Sequence, residues 1–290
     1  MPAMLSILLP LLAQAGVSTA APGNGPALPQ APIAIPQRKA ASAAPVRGAA
    51  LPAGRLQGCL QAAQGSPADA VDEADAWLAG ATAMTERAGA MQCKAMALTR
   101  LGGWTEAATL FAGARDESPA SEPGERARLG ALAGNALIAA GTMSAALTAL
   151  NRADRDAEAA GDIKLRGVIH IDRARTLVAL GRPGEAAAAL DAARRYLPDN
   201  YQAWLLSSTL SRRQNQLGAA QQQIERAAQL MPVDPEIGLE AGVIAVLSGR
   251  DAAARRSWQS VIAAAPGSAA AKTAQGYLDQ LGPRSASPKQ

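Results

Sequence analysis

The chain has 290 residues, of which 49% are hydrophobic but only 3% aromatic, so its apolar residues are mainly alanine and leucine. This composition favours closely packed helices over β-sandwiches, which are richer in β-branched and aromatic residues. A single histidine and two cysteines argue against a zinc site and against histidine-based catalysis, so we predict no metal, no cofactor and no enzymatic activity.

The net charge of +4 resides in the two ends of the chain. Five of the 28 basic residues lie within 1–54 and 283–290, which contain no acidic residue, and this leaves 23 basic and 24 acidic residues between them. A nucleic-acid-binding protein carries its basic surface on the folded part. We therefore predict no nucleic-acid partner.

The segment 1–20 has the features of an export signal. An apolar run, Leu5–Leu12, precedes two small-x-small patterns that suit signal peptidase, although no lysine or arginine precedes the run. The run is too short to be a stable membrane anchor, and no cysteine follows it for lipid attachment. We predict a signal peptide over 1–20, a periplasmic or secreted protein, and no membrane span in the mature chain.

Residues 21–54 are rich in proline and alanine, a composition that predicts a disordered linker. Proline removes amide donors, and the segment has no periodic apolar face. Residues 55–87 follow as a helical region with two predicted helices, Leu56–Gln64 and Pro67–Ala79, in which Trp77 faces inward.

A constant interval between turn residues organises the chain from residue 88 to residue 268. The clearest markers are three equally spaced prolines, Pro198, Pro232 and Pro266. Half an interval before each proline lies a residue that tolerates the left-handed backbone and ends a helix: Gly181, Asn215 and Gly249. Each unit is therefore predicted to be a helix, a turn, a second helix and a turn.

The predicted helices carry matching contact residues. The second helices begin their contact face with a small residue, at Ala107, Ala146, Ala186, Ala220 and Ala254. A larger residue follows four positions later, at Phe111, Leu150, Leu190, Ile224 and Trp258. The first helices carry a small residue at Ala95, Gly134, Ala174, Ser208 and Gly242. Such spacing places these residues on one helical stripe and allows close helix packing.

These residues resemble the tetratricopeptide repeat family, with Gly102–Pro119 similar to its second helix and Pro198–Trp204 similar to its junction between repeats. The resemblance implies an all-α, right-handed superhelical solenoid of about five helix-turn-helix repeats over 88–268. Because a stack of hairpins exposes apolar surface at both ends, we expect 55–87 to be an N-terminal cap and 269–282 a C-terminal capping helix, followed by a disordered tail over 283–290.

Two features depart from the repeat. About 11 extra residues lie between the first and third repeats, near Glu122–Arg126 and Gly161–Arg166. Gly130 and Gly238 replace the large residue expected early in the first helix, and we expect each to loosen the packing by around 1 kcal/mol.

The two cysteines, Cys59 and Cys93, lie in the predicted cap and in the first repeat. In an exported protein the oxidising compartment permits a disulfide. In the chain-entropy model a loop of about 34 residues gains very roughly 3–4 kcal/mol from such a bond. We predict a structural disulfide; the alternative is two buried thiols.

The resemblance implies that the stacked first helices line a concave groove that holds a peptide or protein segment. Helical spacing predicts that the groove includes Arg100, Arg128, Asn135, Arg175, Thr209, Arg212 and Arg213, with Glu236 at the rim as the only acidic residue. Arginine pairs with carboxylates in two-point fashion, which suggests an acidic or extended partner. The paired lysines of the family's carboxylate clamp are missing. The alternative is a solvated basic face.

The remaining chemistry does not indicate catalysis. His170 has Asp172 two residues away on a different helix face, where the carboxylate cannot readily orient the imidazole, so we interpret His170 as structural. We therefore predict a non-catalytic adaptor in the cell envelope that binds a protein or peptide segment. The alternative is an envelope structural protein that self-associates through its solenoid ends as a homo-oligomer.

Overall fold

The computed structural model describes residues 54–282, and this part of the chain contains thirteen α-helices and no β-strand. The predicted signal peptide, the linker up to residue 53 and the tail over 283–290 lie outside the described residues. The helices are α1 (Gly54–Gly65), α2 (Pro67–Gly80), α3 (Met84–Leu101), α4 (Trp104–Glu117), α5 (Pro123–Ala139), α6 (Met143–Ala159), α7 (Ile163–Ala179), α8 (Pro183–Tyr196), α9 (Tyr201–Arg213), α10 (Leu217–Leu230), α11 (Pro235–Leu247), α12 (Asp251–Ala264) and α13 (Ala269–Leu281).

The helices from α3 to α12 pack as five consecutive hairpins. In each hairpin a first helix (α3, α5, α7, α9 or α11) packs against the second helix that follows it, and each second helix packs against the next first helix. Helices α1 and α2 pack against each other and against α3. The prediction of an all-α, right-handed solenoid of about five helix-turn-helix repeats is confirmed.

The turns inside the hairpins explain why each first helix stops. Asn215 follows α9 with a φ of 58°, and Gly181 follows α7 with a φ of 70°. Few residues other than glycine and asparagine adopt this left-handed backbone, which lets the chain reverse within about three residues.

Small and large side chains alternate in the core as the sequence predicts. All five alanines that begin the second-helix stripe are fully buried, and the larger residues that follow them are at most 3% exposed. In the last hairpin, the indole of Trp258 occupies the space over Gly242, where a β-carbon would overlap it. Its Nε1 donates a hydrogen bond of 3.2 Å to the Leu239 carbonyl.

The expectation of loose packing at two glycines is wrong. A β-carbon at Gly130 would lie 3.1 Å from the Ala153 β-carbon, and one at Gly238 would overlap Val261. The second helix approaches the first so closely at both positions that the missing side chain leaves no free space. These glycines therefore permit tight packing between helices.

The extra residues of the second and third hairpins lengthen helices. Helices α5, α6 and α7 have 17 residues each, whereas α9 to α12 have 13 or 14. Both helices of the second hairpin and the first helix of the third are therefore longer than their counterparts in the last two hairpins.

A disulfide joins α1 to α3, which confirms the predicted pairing of Cys59 with Cys93. Their α-carbons are 5.9 Å apart, and both side chains are fully buried. Trp77 on α2 is only 7% exposed and so faces inward as predicted. At the other end, α13 buries Ala271 and Ala274. Its role as a cap remains a prediction.

Candidate peptide-binding groove

The first helices form the inner side of the curved stack. Neighbouring first helices contact each other directly at α5–α7 and at α9–α11, and within the described residues no pair of neighbouring second helices approaches as closely. A stack that is tighter on one side curves toward that side. We call the surface formed by α3, α5, α7, α9 and α11 the inner face, and all seven predicted groove residues lie on these helices.

Two of the predicted arginines pair with carboxylates of their own helix. On α5, Arg128 Nε donates a hydrogen bond of 2.9 Å to Glu125 Oε2. On α7, Arg175 Nη1 donates one of 2.9 Å to Asp172 Oδ1. Each pair spans three residues, a spacing that places both side chains on one helix face.

Asp172 is the most buried carboxylate of the inner face. It is 5% exposed, and burial raises its pKa above the usual range, although Arg175 and Asn135 both act to lower it. Asp172 Oδ2 and Asn135 Nδ2 are buried and neither makes a hydrogen bond. Arg175 therefore holds Oδ1 through a hydrogen bond, the Asn135 amide of α5 acts on the carboxylate without one, and Oδ2 has no donor among the described residues.

Arg212 forms an ion pair that links two first helices. Its Nε and Nη2 donate hydrogen bonds of 2.6 and 3.2 Å to the two carboxylate oxygens of Glu240. The side chains are only 10% and 12% exposed, so little water screens the pair. This two-point contact joins α9 to α11.

The inner face thus differs in charge from the sequence prediction. The expectation that Glu236 is its only acidic residue is wrong, because Glu125, Asp172 and Glu240 neutralise three of the five arginines. The pairs Glu125–Arg128 and Asp172–Arg175 could have been identified from the sequence, because their residues are three positions apart on one helix. The third pair depends on which faces of α9 and α11 meet, and a single helix does not reveal that.

Two arginines remain free for a partner. Arg100 at the end of α3 and Arg213 at the end of α9 are exposed, and neither makes an ion pair within residues 54–282. Thr209, four residues before Arg213 on α9, is half-buried. On α5 and α7, between these two arginines, the inner face presents partly exposed apolar side chains at Ile138, Val168 and Val178. Beyond Arg213 it continues with Leu239 and Val243 on α11.

His170 lies in an ion-pair cluster between α6 and α7, away from the predicted groove residues. Its Nδ1 is 3.2 Å from Arg173 Nη1, and its Nε2 is 3.4 Å from Asp154 Oδ1. Burial alone would raise the pKa of Asp154, but contacts with His170 and Arg166 outweigh burial and lower that pKa to about 2. His170 therefore belongs to a network of polar and charged side chains that links α6 to α7.

Comparison with known proteins shows the fold alone. No family model and no curated protein sequence matches the chain. PilW, a widely conserved type IV pilus biogenesis factor, has a TM-score of 0.61 at 17% identity over 76% of this chain and 96% of its own. Pseudomonas aeruginosa pilF has a TM-score of 0.60 at 16% identity over 77% of this chain and 95% of its own. MamA from Desulfovibrio magneticus RS-1 has a TM-score of 0.53 at 17% identity over 63% of this chain and 97% of its own.

The structure therefore has the tetratricopeptide-repeat fold that its residues resemble. Among the helices described, none combines the length and the apolar composition that a membrane crossing needs.

Proposed function

We propose that this protein is a non-catalytic adaptor of the cell envelope that holds an extended segment of a partner protein against its inner face. The observation that carries the proposal is the arrangement of this face, in which a partly exposed apolar strip lies between two free arginines, Arg100 and Arg213. An apolar strip that stays partly exposed among the described residues is typical of a protein-binding surface.

The free arginines define the acidic character of the proposed partner. A guanidinium without an internal carboxylate can form a two-point contact with a carboxylate of the partner. Arg128, Arg175 and Arg212 already hold carboxylates, so in this proposal they and Asn135 shape the wall while Thr209 offers a hydroxyl to the bound segment. The partner is then mainly apolar in its middle and acidic toward its ends.

Three observations support the location in the cell envelope. The segment 1–20 has the pattern of an export signal. The disulfide between Cys59 and Cys93 is stable in an oxidising compartment. PilW, which shares the fold, is a type IV pilus biogenesis factor.

Crosslinking in cells tests the proposal. A photo-reactive amino acid at Thr209 reports on the inner face, and the captured proteins are identified by mass spectrometry. We expect the double charge reversal Arg100→Glu with Arg213→Glu to abolish capture of the main partner. The matched control, Arg195→Glu with Arg256→Glu, changes the same charge at exposed residues of α8 and α12 and should leave capture intact.

Two results would contradict the groove. If the variant Arg100→Glu with Arg213→Glu captures the main partner as well as the parent protein does, the two free arginines take no part in binding. Capture of a second copy of this chain alone would favour self-association over the adaptor role.

A further inference from the structure

A crevice of about 240 Å³ lies away from the predicted groove residues. It lies between α6, α7 and α8, so two of its three walls are second helices. We call it the outer crevice. None of the predicted groove residues lines it, and it therefore constitutes a separate surface.

Three apolar side chains form part of the floor of the outer crevice, which Asn151 and His170 also line. Leu147, Leu177 and Ala189 line it and are at most 8% exposed, while Ala188 stands exposed at its rim. Side chains of this kind bind an apolar group and offer it no hydrogen bond.

The rim carries more positive than negative charge. Arg182 donates hydrogen bonds of 2.7 Å from Nε and from Nη2 to the two carboxylate oxygens of Glu185. Contact with Arg182, and to a smaller extent the charge of Arg173, lowers the pKa of Glu185, so this carboxylate is ionised at neutral pH. The Arg182–Glu185 pair is neutral, and Arg173 adds a guanidinium to the rim, whose nearby carboxylate, Asp154, is shared with Arg166.

Arg173 has an unused donor at this rim. Its Nη1 lies 3.2 Å from His170 Nδ1 and 3.6 Å from Asp154 Oδ2. Its Nη2 makes no hydrogen bond within the described part of the chain, and the side chain is 24% exposed. An anion at the rim would therefore find a guanidinium nitrogen that no internal acceptor holds.

The size of the outer crevice limits its ligand. Binding sites for whole small molecules begin at roughly 300 Å³, so this volume suits a single residue. One residue must then supply both the apolar group for the floor and the carboxylate for the rim. Only the C-terminal residue of a chain carries a free carboxylate directly beside its side chain.

We propose that the outer crevice binds the C-terminal residue of a partner chain, with its apolar side chain against Leu147, Leu177 and Ala189 and its carboxylate at Arg173. This site is independent of the inner face, so either proposal can fail while the other stands.

A pair of matched peptides tests the proposal by NMR on the isotope-labelled full chain. The probe is acetyl-Ala-Ala-Leu with a free carboxylate, and its control is the same peptide with a C-terminal amide. We expect the free acid to shift backbone amides of α6 to α8. The amide peptide should bind at least about tenfold more weakly, because it lacks the charge that pairs with arginine.

Two variants locate the site. Ala188→Trp fills the crevice from its exposed rim and should abolish the shifts, whereas Ala252→Trp, at an exposed alanine of α12, should not alter them. If Ala188→Trp loses its helical circular dichroism, the variant Arg173→Leu tests the proposal instead. In Arg173→Leu, we expect the free-acid peptide to bind no better than the amide peptide.

Three outcomes would overturn the proposal. If the free-acid and amide peptides bind equally well, the site does not recognise the carboxylate. Shifts confined to the inner face would exclude the outer crevice while leaving the proposed groove intact. An absence of shifts with the free acid in large excess would mean that the outer crevice binds no C-terminal residue.

Discussion

Helices α1 and α12 lie toward opposite ends of the stack and are held by different means. Helix α1 buries only Cys59 and Ala63, whereas α12 buries Ala254, Trp258 and Val261. Burial of apolar surface stabilises in proportion to area, so α1 gains little from its two small side chains and α12 gains much from an indole. A covalent bond compensates for the small core at the first end. The comparison shows that one solenoid can secure its two ends by different physical means.

The largest expected effect is at the indole. Trp258→Ala should cost about 3–5 kcal/mol of unfolding free energy, because it removes a fully buried aromatic ring and leaves a cavity over Gly242. Denaturant unfolding measures this loss, and hydrogen exchange should rise first in α11 and α12. Arg256→Ala, at an exposed position of the same helix, serves as the control and should stay within about 0.5 kcal/mol of the parent.

Removal of the disulfide should affect the opposite end. Cys59→Ser with Cys93→Ser should cost about 3–4 kcal/mol, because the unfolded chain regains the freedom of the closed loop. Hydrogen exchange should increase in α1 and α2 and stay unchanged in α9 to α12. Equal loosening of both ends would contradict the division of roles between the bond and the indole.

The contact between α9 and α11 should have an intermediate effect. Glu240→Gln leaves the largely buried Arg212 without its carboxylate and should cost about 2 kcal/mol. The double variant Arg212→Met with Glu240→Met should recover most of this loss, since no unpaired charge remains. The single variants Arg212→Met and Glu240→Met complete a double-mutant cycle with the parent and the double variant, and thermal unfolding of these four proteins gives the coupling energy. Additive losses would show that the two side chains act separately.

The middle of the stack should respond to acid. Asp154 has a pKa of about 2 in the folded protein against an ordinary value of 3.8, so its contribution is complete above roughly pH 5 and disappears as the pH falls toward 2. After allowance for solvent screening we expect about 1 kcal/mol. Unfolding of the parent and of Asp154→Asn should differ at pH 7 and converge near pH 2. A difference that persists at pH 2 would exclude the charge of Asp154 as its cause.

The sequence was sufficient to predict the hairpins because each structural requirement recurs at a fixed spacing. A residue that tolerates a left-handed backbone must follow each first helix, as Asn215 does. A small residue must begin the contact face of each second helix, as Ala220 does. The disulfide was predictable because the chain has only two cysteines. In these cases the residue type at a single position is enough to meet the structural requirement, so the sequence reveals it.

Contacts between helices were less predictable. Arg212 and Glu240 are separated by 28 residues, and their pairing depends on the rotation and spacing of two helices. At Gly238 the sequence shows that a side chain is missing, but only the fold shows that Val261 fills its place. The predicted basic groove was therefore too positive, since the charge of a surface depends on contacts that a linear pattern does not contain.

The unequal helix lengths change the width of the inner face along the stack. Helices α5 and α7 have 17 residues each, whereas α9 and α11 have 13, a difference of about one helical turn. The inner face is therefore about one turn wider at the second and third hairpins than at the fourth and fifth, and it offers a ligand correspondingly more backbone to lie across.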